Sequence, residues 1–507
     1  MNNRPTIGQT VIETLTLGMY ENPLIIYREY VQNAADAIDE AVELRILSRK
    51  SDGEINITIE KENRKIIIQD NATGISAKNA LNFLGDVANS QKNSIKNKGF
   101  RGIGRLGGMG YCEQLIFETS AINEKIKTII TLDASRLKKI IENAADTRDA
   151  ASVMSVITDL VKVEEVQDTH YFKVILQGVS NEKLLISEDV KDYLSMVAPL
   201  PFLEEFLFKK KIEEEFKKRN FILDEYHVKL IINQTRLFKP YRNILSTKMR
   251  NLTVKIIDIE VFDLEDINEE IIGIGWFSVT NISNYKIDSQ YVERSLRLRY
   301  KNIQIGDDNT LKRFFFSGSR FVENYIGEVH AISPNFKPNA RRDYFNDSAL
   351  VTQFEKELSK VLKELNDLTY VSSDLHSYTT KVKKYQEDKE KFENEVFGNE
   401  KQEVKRKEEL LIKYNEAKLA ETKAKKILVG SKNELAGKIF KAKSKDLLLD
   451  IKPVSKKIKR NYPEPNLPKL TPEEKKVALS IFEVIRDNLE KIQAEKLIKK
   501  IIEKYSD

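Results

Sequence analysis

The sequence predicts an α+β protein, with two mixed regions followed by a mainly helical tail. Three observations carry this expectation. Residues 54–70, "EINITIEKENRKIIIQD", alternate apolar and polar side chains around a polar turn, as two paired strands do. Just before them, "YREYVQNAADAIDEA", Tyr27 to Ala41, has the composition and 3.6-residue spacing of a helix. Between Asn339 and Lys452 there is no proline, and Lys, Glu, Ala and Leu dominate, which predicts long helices.

The first mixed region runs from the N-terminus to residue 185: helix, strand pair, glycine-rich segment, then strands such as "EQLIFETSA" and "YFKVILQGV". A second spans 186–370, with the strand-like runs "HVKLIINQTRLFKPY", "LTVKIIDIEVF", "IIGIGWFSVTN" and "YIGEVHAISP". Residues 371–445 form a helical or coiled-coil segment, in which Val382, Tyr385, Phe392 and Val396 keep a three-four spacing for about two heptads. A basic, proline-containing linker, 446–470, follows. Thr471, Pro472 and Glu474 start a C-terminal amphipathic segment, 471–507, with Val477, Ile481, Ile485, Leu489 and Ile492 on one face.

Composition narrows the function classes. At 507 residues the chain is expected to hold several domains. Its 84 basic and 78 acidic side chains nearly balance, so the net charge of +6 argues little for a nucleic-acid partner. A single cysteine, Cys112, excludes a disulfide framework. The four histidines, His170, His227, His330 and His376, are too scattered for a zinc site. There is no secretory leader pattern and no apolar run of membrane-spanning length, so the cytoplasm is the expected compartment and no membrane partner is expected.

The candidate chemistry lies in the first 111 residues. At 100° per residue, Glu29, Asn33, Asp36 and Glu40 fall within about 60° on one face of the predicted helix. Alone, that stripe reads as the solvated face of an amphipathic helix. Asp70 then ends a strand before "DNATGIS", where a carboxylate can accept from an exocyclic amine and Gly74 permits close approach of a flat ring. Gly99, Gly102, Gly104, Gly107, Gly108 and Gly110 crowd into twelve residues of a chain with 20 glycines, a segment able to present amides to phosphates. It lacks the Lys-Ser/Thr ending of a P-loop.

In that order, helix, strand-turn and glycine segment resemble the GHKL ATPase superfamily, and the heat-shock protein 90 chaperones most closely. The resemblance implies a Bergerat-type ATP-binding sandwich over residues 1–185, with a mobile glycine lid at 85–110. "REYVQNAADA" resembles the family's first motif, which makes Glu29 the general base, Asn33 the magnesium ligand and Asp36 a supporting group. "DNATGI" is similar to the adenine motif, which gives Asp70 the adenine amine and Gly74 the close approach. "FLGDVANSQK" resembles the start of the lid, with Gly85 and Lys92 as nucleotide contacts, and "GFRGIGRLG" its end, where Gly99, Gly102 and Gly104 bracket the phosphates. Thr169 is the candidate for the family's later-strand threonine. "FKPNARRDYF" is similar to a middle-domain loop whose arginine reaches the γ-phosphate; that arginine is Arg342, beside Arg341. Two positions depart from the family pattern: Ala72 replaces a glycine, and Phe83 stands where an asparagine is usual.

The implied activity is magnesium-dependent ATP hydrolysis in a nucleotide-gated clamp, with ATP and Mg2+ as cofactors. Its expected partners are a protein client or a neighbouring effector protein, including one of anti-phage defence, and a second copy of the chain. A histidine kinase is disfavoured because no histidine precedes His170. The alternative is a DNA-associated clamp of mismatch-repair, topoisomerase or MORC type, tethered by the basic stretch 438–460.

Overall fold

Helix α1, Ile25–Glu43, begins where Asn22 Oδ1 accepts from Leu24 N at 3.1 Å, with Pro23 in the turn just before the start. It ends in a Schellman turn: Arg45 N bonds Val42 O, Ile46 N bonds Ala41 O, and Arg45 takes the left-handed conformation with φ 63°. In this computed structural model the described residues are 22–80, 104–143, 145–231, 235–246, 253–280, 286–314, 323–395, 400–430, 465, 467, 470–489 and 491–506.

The next elements are β1, Glu54–Glu60, and β2, Lys65–Asp70, paired antiparallel with Ile57 opposite Ile68. A 3-10 segment, Gly104–Tyr111, leads to β3, Gln114–Ser120, and β4, Ile126–Asp133. Helices α2, Ala134–Glu142, and α3, Ala150–Ile157, precede β5, Thr158–Glu164, and β6, Tyr171–Gln177. Helices α4, Ser187–Val197, and α5, Lys209–Lys218, come before β7, His227–Leu230, and β8, Thr235–Arg236.

These eight strands make one sheet in the order β5-β4-β3-β6-β2-β1-β7-β8. Period-two alternation is what packs it: Ile55, Ile57, Ile59, Ile66 and Ile68 are buried in the same core as Tyr27, Val31, Ala34 and Ile38 of α1. The sheet reaches past the boundary expected at residue 185, because β7 lies parallel to β1, with Ile55 opposite Val228. The run "HVKLIINQTRLFKPY", expected in the second mixed region, therefore splits, and its first part completes the first sheet. Tyr226, just before β7, supplies the local reason: it is buried, and its hydroxyl donates to Asp39 of α1 at 2.7 Å. Lys50 adds ion pairs to Asp39 at 2.9 Å and Asp224 at 2.7 Å.

A second, six-stranded sheet has the order β13-β12-β14-β11-β10-β9. Its strands are β9, Ile244–Ser246; β10, Thr253–Glu265; β11, Ile271–Thr280; β12, Ser295–Tyr300; β13, Ile303–Gln304; and β14, Ile326–Ala331. One face packs Trp276 edge-on against Tyr241 and Phe202. Beside them lies a fully buried charged cluster. Glu328 pairs with Arg299, with Lys239 Nζ at 2.9 Å and with His330 Nε2 at 3.0 Å, and accepts from Tyr241 at 2.9 Å. Arg299 also donates to Met196 O in α4 at 2.6 Å, which ties the second sheet to a helix of the first.

Met1–Thr369 form one compact unit and Tyr370–Asp507 another. Helix α6, Ala349–Asn394, has residues in both. In the second unit α6 and α7, Glu400–Gly430, run antiparallel: Tyr385 contacts Tyr414, Asp388 pairs with Lys413, and Glu395 with Arg406. Val382, Tyr385 and Phe392 are buried, as their spacing predicts; Val396 lies outside the described residues. The C-terminal segment is two helices rather than one, α8, Pro472–Asn488, and α9, Lys491–Ser506. The expected capping box is present: Thr471 N donates to Glu474 Oε2 at 2.9 Å and Glu474 N to Thr471 Oγ1 at 3.4 Å. The break comes at Leu489, which is extended at φ −119°, after Asn488 has turned its side-chain amide onto Val484 O at 2.8 Å. No described helix is long and apolar enough to cross a membrane.

Candidate functional site

α1 packs on β1 and β2, the strand pair whose second member ends in Asp70. Glu29 is buried, 4% exposed, so the stripe is not a solvated face at that point. Two cations meet its carboxylate: Arg342 Nε at 2.9 Å and the neighbouring Arg28 Nη2 at 3.4 Å. Asn33, one turn on, is partly exposed, Asp36 is buried, and Glu40 is exposed. Helical spacing thus delivers one buried acid and, four residues later, an amide with access to solvent.

Arg342 is aimed from the second mixed region by its backbone. Its N–H donates to Asn339 O at 3.2 Å, its carbonyl accepts from Gly306 N at 2.8 Å, and its φ is 57°. That conformation is unusual for a residue with a Cβ and marks a position held by its surroundings. Arg341 is exposed, so the burial separates the two arginines of the motif.

Asp70 is buried at the end of β2, and its Oδ1 accepts from Ala72 N at 3.0 Å. Asn71 pins the turn: its Oδ1 accepts from Glu54 N at 2.7 Å and its Nδ2 donates to Asp52 O at 3.0 Å. Gly74 has φ +61°, and a Cβ there would stand 1.8 Å from Ser120 O, so only glycine fits. Thr119 Oγ1 accepts from Ile75 N at 2.8 Å and donates to Tyr171 O at 3.0 Å. Thr169 lies in the turn before β6, where its N–H bonds Val166 O. The side chain beside it that reaches the Asp70 loop is His170, whose Nδ1 donates to Ala72 O at 2.7 Å. Ala72, in place of the family's glycine, is completely buried.

Of the glycine-segment positions, Gly85, Lys92, Gly99 and Gly102 lie outside the described residues, as does Phe83. Gly104 is described, and a Cβ on it would come within 2.4 Å of Glu29 Oε2. The segment therefore abuts the acid itself. Cys112 is not part of the chemistry: burial pushes its thiol up to about 12, and its Sγ donates to Gly108 O at 3.2 Å.

The buried Glu29, the strand-end Asp70 followed by the Gly74 turn, and the glycine segment at Gly104 thus all belong to the first sheet and the helix packed on it. Residues 25–165 match the model of the histidine kinase-, DNA gyrase B- and HSP90-like ATPase family. This N-terminal domain is a GHKL ATPase domain of the HSP90-like kind. The fold is accordingly α+β, with that domain first and a helical region at the C-terminal end. Chaperone protein HtpG of Buchnera aphidicola subsp. Baizongia pistaciae is 23% identical over 396 residues, covering 73% of this chain and 55% of that protein. HtpG of Buchnera aphidicola subsp. Cinara cedri is 37% identical over 111 residues, 19% of this chain and 18% of its own length. HtpG of Orientia tsutsugamushi is 38% identical over 85 residues, 16% of this chain and 13% of its own length. At most, then, the chain spans about half the length of these relatives.

Tyr30, Arg28, Thr119 and His170 join the site without having been singled out in the sequence. Tyr30 and Arg28 flank Glu29 in the helix, and adjacency to the acid is the one signal that could have found them. The other two are brought in by strand pairing.

Proposed function

We propose that the protein is a magnesium-dependent ATPase working as a nucleotide-gated clamp on a protein client or dedicated partner. The observation that carries this reading is the Arg342–Glu29 contact, 2.9 Å, which brings an arginine of the second mixed region onto the acid of the ATPase domain.

The residues present fit ATP and its metal. Asp70 is buried at its strand end to accept from the adenine amine, and Gly74 holds the turn after it in a left-handed conformation packed on Ser120 O that only glycine allows. Asn33 would hold magnesium, with Asp36 behind it, and the ion would neutralise charge on the phosphates. Glu29 takes the proton of the attacking water at its carboxylate. For that it must exchange its guanidinium partners for water. Arg342 turns from Glu29 to the γ-phosphate, where its fork stabilises charge on the transferring group. The same movement frees the base and completes the site, so turnover is gated by where Arg342 points. Packing of Gly104 against Glu29 keeps bulk solvent from that side.

The client or partner belongs to this reading as well, including an effector protein of a defence system, and so does a homodimer. In support of self-association, Val477, Ile481 and Val484 of α8 are each more than half exposed on one helical face. The test is turnover and ATP affinity in the same preparation. Glu29→Ala should bind ATP and hydrolyse it about 10² to 10⁴ times more slowly. Unchanged turnover would sink the assignment.

A further inference from the structure

Glu29 and Tyr30 are consecutive in α1, and each faces a glycine of the Gly104–Tyr111 segment. A Cβ on Gly104 would meet Glu29 Oε2 at 2.4 Å; one on Gly108 would meet Tyr30 Oη at 2.4 Å. The second contact is a pair of hydrogen bonds. Tyr30 Oη donates to Arg105 O at 3.1 Å and accepts from Gly108 N, also at 3.1 Å.

Arg105 O and Gly108 N are the i and i+3 groups that a 3-10 turn joins directly. Here the phenol bridges them, donating to one and accepting from the other. A buried hydroxyl bonded to both ends of a turn ties that turn to the element the side chain comes from. Here the bridged turn begins one residue after Gly104, whose backbone rests on the Glu29 carboxylate. Tyr30 is 3% exposed and Arg105 9%, so water does not compete for these groups as it would at a surface.

We infer that Tyr30 is a positioning residue for hydrolysis: its hydroxyl, bonded to both ends of the Arg105–Gly108 turn, sets how closely the Gly104 backbone approaches Glu29. The inference rests on the reading of Glu29 as the base. Without the hydroxyl, the Arg105–Gly108 turn loses this tie to α1, and Gly104 draws back from the carboxylate. Glu29 then loses its fixed direction while Asp70 and Gly74 are untouched. The residue acts on the rate and leaves binding alone.

The test uses the full chain with Mg-ATP. Tyr30→Phe removes one oxygen and keeps the ring. It should lower kcat about tenfold, since small misplacements of a reacting group cost up to about 10²-fold, with KM and ATP affinity within about twofold of wild type. A second arm is independent of activity. Gly108→Ala should lower the melting temperature, because its Cβ collides with Tyr30 Oη, and Tyr30→Phe in the same chain should restore most of the loss. Wild-type kcat in Tyr30→Phe would overturn the inference, as would a fall in kcat matched by equally weaker ATP binding. So would Gly108→Ala damage that is the same with Phe as with Tyr. Glu29→Ala, run alongside, separates the two readings. If it turns over normally, the assignment of the base has failed; if it is slow and Tyr30→Phe is not, only the role of Tyr30 has.

Discussion

Arg342 Nε lies 2.9 Å from Glu29 Oε1, although the two residues come from different sheets' surroundings and far-apart stretches of sequence. Both are largely shielded, with side chains 11% and 5% exposed. In the proposed mechanism the arginine must leave this carboxylate before water can take its place. Arg342→Ala should therefore reduce turnover by about 10² to 10³, the size of a lost transition-state donor, with ATP affinity little changed. Arg342→Lys should not rescue it, since an ammonium cannot reproduce the planar fork. Steady-state hydrolysis and calorimetric ATP binding on the same protein check both statements.

Asp70→Asn should abolish measurable ATP binding while leaving the fold intact, because the amide oxygen can still accept from Ala72 N. Gly74→Ala should do both kinds of harm. The added methyl enters Ser120 O and the backbone stays left-handed, so a loss of about 2–4 kcal/mol is expected together with loss of nucleotide. Thermal melts with and without ATP would distinguish the two variants; equal melting behaviour would contradict this account.

The buried cluster of the second sheet makes stability depend on pH. Burial lowers the His330 imidazole to about 4, against 6.5 in the unfolded chain. Between those values the unfolded state holds the extra proton, so stability falls as the pH falls, by up to about 1.4 kcal/mol per pH unit for one proton. Glu328 acts in the same sense. Burial alone would raise its carboxyl, but Arg299 and Lys239 outweigh that and hold it well below 4.5, so its contribution is lost as acid protonates it. Melting temperature should drop steadily from pH 6.5 towards 4, and His330→Gln should flatten that slope. A slope unchanged in His330→Gln would remove the histidine from the explanation.

Self-association should depend on the apolar face of α8. Light scattering on the full chain with ATP should give the dimer mass, and Ile481→Asp should shift it to the monomer without altering the melting temperature, since Ile481 is 52% exposed. An unchanged dimer would move the interface elsewhere.

Much of the architecture could be read from periodicity. The alternation in 54–70 became β1 and β2 in the expected pairing, and the three-four spacing of Val382, Tyr385 and Phe392 became a buried face. Asp70 at a strand end and Gly74 in the turn were visible as well, because each depends on local backbone geometry. What escaped depends on partners distant in sequence. Nothing near Tyr226 or Val228 says that this strand returns to β1, and nothing in "YREY" says that Tyr30 meets a turn 75 residues away. One amphipathic pattern in 471–507 covers two helices, because Leu489 and Ile492 keep the helical spacing across the break that follows Asn488.

The return of β7 to β1 also sets a schedule for synthesis. A nascent chain that has delivered β6 still lacks β7 and β8, which end 59 residues later at Arg236. At about 5–20 residues per second, translation takes roughly 3–12 s to supply them. During that interval β1 presents an open edge where its parallel neighbour will sit. The nucleotide-binding sheet cannot close until the ribosome is well into the second half of the unit, so truncations at residue 185 should yield a sticky, unfinished sheet.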